Sequence, residues 1–185
     1  GGGACYDLEE LKKIKAVCVA NNLKFHLDGA RIWNAVVAKK QHPREFGALF
    51  DTISVCLSKG LGAPIGSVLL GDKATIHRAL RIRKILGGGM RQVGYLAAAG
   101  NFALDNNIAK LIDDHRRAKE IASVLSKLLW IGKIEPVETN ILIFSVREGL
   151  SEKLLIEKLK EKNILISSLG HGKLRIVTHL DYKEV

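Results

Sequence analysis

The chain has 185 residues, of which 47% are hydrophobic and 26% charged, enough apolar material to bury the core of one ordinary domain or two small ones. A mean hydropathy of +0.09, the lack of an apolar run long enough to span a bilayer, and an opening GGGACYDLEE without signal-peptide character exclude a disordered chain, a membrane protein and a secreted one, so a cytoplasmic protein is expected. Three cysteines without CxxC spacing exclude a disulfide framework or zinc site, no ligand cluster predicts a metal, and the net charge of +10 raises the question of nucleic acid.

In chain order, residues 6–20 carry Leu8, Leu11, Ile14 and Val17 at helical spacing behind Asp7, which predicts a capped helix. A short strand is predicted over 24–27 and a helix over 31–39. Apolar runs over 51–57 and 65–70 predict two buried strands flanking the loop 58–64. Alternating helices and strands are the pattern of an α/β layer. A small-residue stretch follows at 93–102, then a long charged helix from about 107 to 129. Strands are predicted over 140–146, 164–167 and 173–178, with a helix over 151–162. The second half reads as a smaller α+β domain, giving domains over 1–105 and 106–185. The chain opens as though mid-loop and stops just after a strand, and the few strands of its first half would leave open sheet edges, so part of a longer chain is expected.

Much of the positive charge is scattered along helix faces, as in Lys12, Lys13 and Lys15, where solvated surface explains it, and no nucleic-acid partner is expected. Arg78, Arg81, Arg83, Lys84 and Arg91 are different because they flank the run Gly87-Gly88-Gly89, where a small anion could be held. In Leu57-Ser-Lys-Gly-Leu-Gly, Lys59 follows an apolar strand. It is either a desolvated amine available as a nucleophile toward an aldehyde or an exposed lysine on an ordinary glycine-rich turn. Asp28 ends another strand three residues before Arg31, and it either meets a ligand at the strand's carboxyl end or caps the following helix. Together the two residues suit pyridoxal phosphate, which needs a lysine for its aldehyde and a carboxylate for its ring nitrogen.

The strings HLDGAR (26–31), SVCLSKGLGAPIGSVLLG (54–71), GGGMRQ (87–92) and RIVTHLD (175–181) resemble, in order and over essentially the whole chain, the low-specificity L-threonine aldolases, pyridoxal-phosphate enzymes grouped with the β-eliminating lyases. The resemblance implies the aspartate aminotransferase fold. Residues 1–105 would be the C-terminal portion of a large, mostly parallel α/β domain of fold type I, and 106–185 the small C-terminal domain. It implies that Lys59 is the Schiff-base lysine and catalytic residue, that Asp28 partners the pyridine nitrogen, and that Arg31, beside the cofactor, and Arg175 hold the substrate carboxylate. Lys84 and Arg91 would reach the cofactor phosphate of a neighbouring subunit. The implied partners are a small amino acid and further copies of the chain, a homo-oligomer built as a dimer of dimers with shared active sites. The implied reaction is retro-aldol cleavage of L-threonine or L-allo-threonine to glycine and acetaldehyde.

His26 shares a strand face with Asp28 and is either a support for that carboxylate or a hydrogen-bonded core histidine. His179 is equally open. Cys56 reads as core, and His42, His77, His115 and His171 receive no role. The family's own phosphate loop and ring-stacking histidine would lie upstream of Gly1. Two rival readings stand beside the aldolase: another pyridoxal-phosphate lyase of this fold acting by β-elimination, and a non-catalytic basic binding module.

Overall fold

A computed structural model describes residues 2–182. The chain forms two compact units. One is Tyr6–Lys110; the other joins the residues up to Cys5 to those from Leu111 onward. The expected division near residue 105 thus differs from this one by several residues, and the first few residues pack with the distant C-terminal part.

In the Tyr6–Lys110 unit, helix α1 (Leu8–Ala20) starts where expected because Asp7 Oδ1 accepts from the amides of Glu9 and Glu10 at 2.8 and 3.3 Å. Strand β1 (His26–Gly29) begins later and runs further than the predicted 24–27. Helix α2 (Ile32–Lys39) follows, then α3 (Pro43–Leu49). The sequence reading omitted α3, which has one polar turn and then Phe46. It is nucleated by a reciprocal cap: the Arg44 amide donates to His42 Nδ1 at 3.2 Å, and the His42 amide to Glu45 Oε2 at 2.8 Å. His42 therefore has a structural task.

Strand β2 (Thr52–Cys56) pairs parallel to β1, with Asp28 opposite Ser54, and antiparallel to β3 (Ser67–Gly71). Leu8, Leu11, Val36, Phe46, Phe50, Ile53 and Val55 form the core, so α1 to α3 cover one face of this sheet. β3 corrects the expectation of a buried strand: all five of its residues are exposed, because the core under α1 to α3 includes none of them. Helix α4 (Lys73–Ile85), capped by Asp72, buries no residue. Helix α5 (Gly94–Asn107) occupies the small-residue stretch.

In the second unit the predicted long helix is shorter, α6 (Leu111–Leu125), since α5 already ends at Asn107. β4 (Ile131–Ile134), β5 (Ile141–Val146), β6 (Ser167–Gly170) and β7 (Lys173–Val177) form an antiparallel sheet in the order β4-β5-β7-β6, with α7 (Glu152–Glu161) between β5 and β6. Leu142, Phe144 and Leu174 are its buried centre, packed on Ile121 and Leu125 of α6 and Leu155 and Ile156 of α7. Gly2 and Gly3 lie against the other face. A methyl at Gly3 would sit 2.8 Å from Ile141 Cβ, and the Gly3 carbonyl accepts from Thr139 Oγ1 at 2.7 Å. His115, given no role from sequence, is 5% exposed, and its burial lowers its pKa. No helix among the described residues is long and apolar enough to cross a membrane.

Candidate active site

Alternation along β1 and β2 separates two faces. Leu27, Gly29, Ile53 and Val55 turn toward the helices, while His26 and Asp28 share the opposite face with Thr52, Ser54 and Cys56. Asp28 is the second-last residue of β1, and Lys59 follows the end of the adjacent parallel β2 by three residues. Both therefore stand at the carboxyl ends of neighbouring parallel strands, and both are exposed. The next residue must be glycine, since a methyl at Gly29 would lie 2.6 Å from the Ser54 carbonyl oxygen and 3.4 Å from Ile32 Cβ.

Asp28 does not cap α2. Its Oδ1 accepts from the Ala30 amide at 3.1 Å, closing a turn outside the helix, while Arg31 takes the N-cap position without capping the helix through its side chain. This leaves an exposed carboxylate steadied by one main-chain donor. His26 does not bond to it; its Nδ1 meets Thr52 Oγ1 at 2.8 Å across the strand pair. His26 is exposed in this structure, so the core alternative does not describe it either.

The Lys59 loop closes on itself. Leu57 N donates to Gly66 O, Gly62 N to Lys59 O and Ala63 N to Leu57 O, at 3.0, 2.9 and 3.0 Å. Leu57, Leu61 and Ala63 are buried beneath it, which turns Ser58 and Lys59 outward. Cys56 is half-buried, with Sγ 3.5 Å from Ser58 Oγ.

Lys84 lies in the last turn of α4 and Arg91 in the segment beyond; both are exposed. The glycines there have a local purpose. Gly87, at φ +81°, ends the helix, with the Gly88 amide reaching back to Arg83 O at 2.8 Å. Arg83 and Lys84 also suit the helix's carbonyl end, so any anion here would be held by side chains and not by a helix amino terminus. Beside them is a mainly apolar cleft of about 720 Å³ lined by Ser54, Leu69, Leu80, Arg83, Met90 and Val93, which the sequence reading missed because its walls come from distant segments.

In the second unit, Arg175 is exposed on β7, opposite Ile143 of β5 and Ser167 of β6. It lies on the face away from buried Leu174. Three residues on, Thr178 Oγ1 donates to the Asp114 carbonyl at 2.7 Å, and Asn140 Nδ2 donates to the Thr178 carbonyl at 2.8 Å, which fixes the end of the strand. His179 is half-exposed beside Asp181, its Nδ1 3.5 Å from Asp181 Oδ2.

A family model described as beta-eliminating lyase matches residues 1–148. The chain is 46% identical over 160 residues to the low specificity L-threonine aldolase of Escherichia coli O157:H7, covering 86% of this chain and 46% of that protein. It is 39% identical over 181 residues to low-specificity L-threonine aldolase 1 of Arabidopsis thaliana, covering 96% and 51%. Among solved structures, Leishmania major threonine aldolase superposes with a TM-score of 0.74 at 19% identity over 98% of this chain and 54% of that one. Aspartate aminotransferase from Thermotoga maritima gives 0.70 at 16% identity over 97% and 50%. These two share the fold. The chain spans about half the length of the relatives it matches.

Proposed function

Since the chain belongs to the β-eliminating lyase family, we propose that the whole protein cleaves the Cα–Cβ bond of L-threonine or L-allo-threonine, giving glycine and acetaldehyde, with pyridoxal phosphate as cofactor. The observation that carries this reading is the pair Asp28 and Lys59 on neighbouring parallel strand ends. The donor set fits the group. Asp28 offers an exposed carboxylate to a protonated ring nitrogen, and Lys59 an exposed amine to an aldehyde. Lys84 and Arg91 are the cations assigned to the phosphate, reaching it across a subunit boundary. When bound, the cofactor supplies an electron sink for the charge left on the α-carbon.

The chain's own residues do the positioning. Arg31 and Arg175 are assigned to the substrate carboxylate, where a guanidinium fork fixes direction as well as charge and so selects which bond at Cα is aligned for cleavage. Asp28 keeps a proton on its partner nitrogen by placing a negative charge beside it. Exposed Ile82, Ile85, Leu86 and Met90 next to Lys84 support assembly into a homo-oligomer, proposed as a dimer of dimers with shared active sites. A cytoplasmic setting accords with the thiols Cys18 and Cys56, which form no disulfide.

Product analysis tests the proposal. Full-length protein given L-threonine and pyridoxal phosphate is expected to release acetaldehyde and glycine in equal amounts, and Lys59→Ala to reduce the rate by at least about a thousandfold. Release of an oxo acid and ammonia would replace the aldolase by a β-eliminating enzyme, and full activity in the Lys59 variant would remove Lys59 from the site.

A further inference from the structure

The loop that carries Lys59 is held from outside by α5. Gly100, Ala103 and Asn107 recur on this helix at spacings of three and four, and all three are buried, so a single stripe faces the loop. The approach is close, since a methyl at Gly100 would lie 3.1 Å from Leu57 Cδ1. At the last residue of the helix, Asn107 Nδ2 donates to the carbonyl of Leu61 at 2.8 Å, joining positions 46 apart in sequence. Lys110 Nζ donates to Asn107 Oδ1 at 2.9 Å. An ammonium can only donate, so Lys110 fixes which end of the amide faces it and leaves the NH2 group for Leu61.

Leu61 is the anchor of the loop. It is 2% exposed and stands two residues after Lys59, inside the turn closed by the Gly62 amide on the Lys59 carbonyl. While the carbonyls of Leu57, Lys59 and Gly66 are satisfied within the loop, that of Leu61 is satisfied by Asn107. We infer that Asn107, oriented by Lys110, is a positioning residue for the Lys59 amine. It holds the buried side of the turn so that Lys59 keeps one direction at the end of β2. Aspartate at this position has no proton to give Leu61 at neutral pH, leucine leaves a buried carbonyl orphaned, and glutamine overshoots by a methylene.

This inference rests on Lys59 being the amine that binds the cofactor, so the test has an arm independent of that reading. In full-length protein without cofactor, Asn107→Leu and the isosteric Asn107→Asp are each expected to speed amide exchange at Gly62 and Ala63 about tenfold, with amides of β5 and β7 unchanged. After pyridoxal phosphate is added, borohydride trapping at Lys59 is expected to slow about tenfold. At saturating cofactor, kcat falls while KM for threonine stays within about twofold. Should the leucine variant fail to fold, the aspartate variant alone decides. Wild-type exchange and wild-type trapping in a folded variant would overturn the inference. If the parent protein traps no cofactor at Lys59, the proposed function fails, and unchanged exchange at Gly62 and Ala63 would then overturn the loop anchor separately.

Discussion

Three donors meet the Asp51 carboxylate. Lys15 Nζ lies at 2.8 Å, Lys24 Nζ at 3.1 Å and the Phe25 amide at 2.9 Å, and with Lys15 foremost they hold its pKa far below the usual carboxylate range. Asp114 is the opposite case. Its side chain is 1% exposed and neither oxygen has a hydrogen-bond donor; burial raises its pKa although Arg117 Nη1 lies 3.9 Å away. The signs follow by linkage. A lowered folded value for Asp51 contributes stability that is complete above about 3.9, the unfolded value, and is lost as pH falls through the folded one. A raised value for Asp114 gives stability present below the unfolded value and lost as pH rises through the folded one. Urea midpoints measured against pH are therefore expected to lose part of their acid slope in Asp51→Asn, while Asp114→Asn removes a decline that sets in as pH rises above the ordinary carboxylate range. Parallel profiles for both variants and the parent would contradict this.

Arg175 yields a second prediction on the same scale. A lysine in its place keeps the charge but loses the paired donors, so Arg175→Lys is expected to raise KM for threonine about tenfold with cofactor content unchanged. An unaltered KM would take Arg175 away from the substrate carboxylate. Asp28 and Lys59 stood out as candidates because a strand end and a glycine-rich turn mark them locally, whereas Arg175 was singled out by the family resemblance alone. Asn107 was not, because an asparagine near a helix end looks the same whether or not a distant carbonyl needs it.

At the scale of elements, periodicity worked where one face is buried. α1 and α7 lie within a residue or two of their predicted bounds because apolar residues recur on one face of each, and so does β5, a largely apolar run with no exposed residue. Asp7→Ala removes the acceptor for two orphan amides and is expected to cost about 1 kcal/mol of stability, read as a lowered denaturation midpoint. No change in midpoint would show that α1 is fixed by its packing alone. α4 escaped the reading because it buries nothing and so has no core stripe to reveal it. The long helix was expected from about 107, four residues before α6 begins, because residues 107–111 remain helix-compatible in composition, and the Asn107 bond to Leu61 that marks the end of α5 comes from elsewhere in the chain.

On the scale of the whole molecule, one unit is the continuous stretch Tyr6–Lys110, while the other is discontinuous in sequence, joining the residues up to Cys5 to those from Leu111 onward. Assembly gives the remaining prediction. Arg91→Ala, or the same change at Lys84, is expected to weaken cofactor retention several-fold in the assembled protein and to change little in an enforced monomer, as measured by equilibrium dialysis. Equal weakening in both forms would contradict a role across subunits.

The sequence by itself determined the α/β layering and marked the two strand ends on which the proposed site is built, because hydrophobic period and glycine placement are local properties of a chain. Only the tertiary structure decided that His26 turns to Thr52 and that Leu61 is held from Asn107. Those outcomes depend on which donors and acceptors long-range packing brings within about 3 Å, and hydrogen bonding at that range is set by the fold, not by neighbours in sequence.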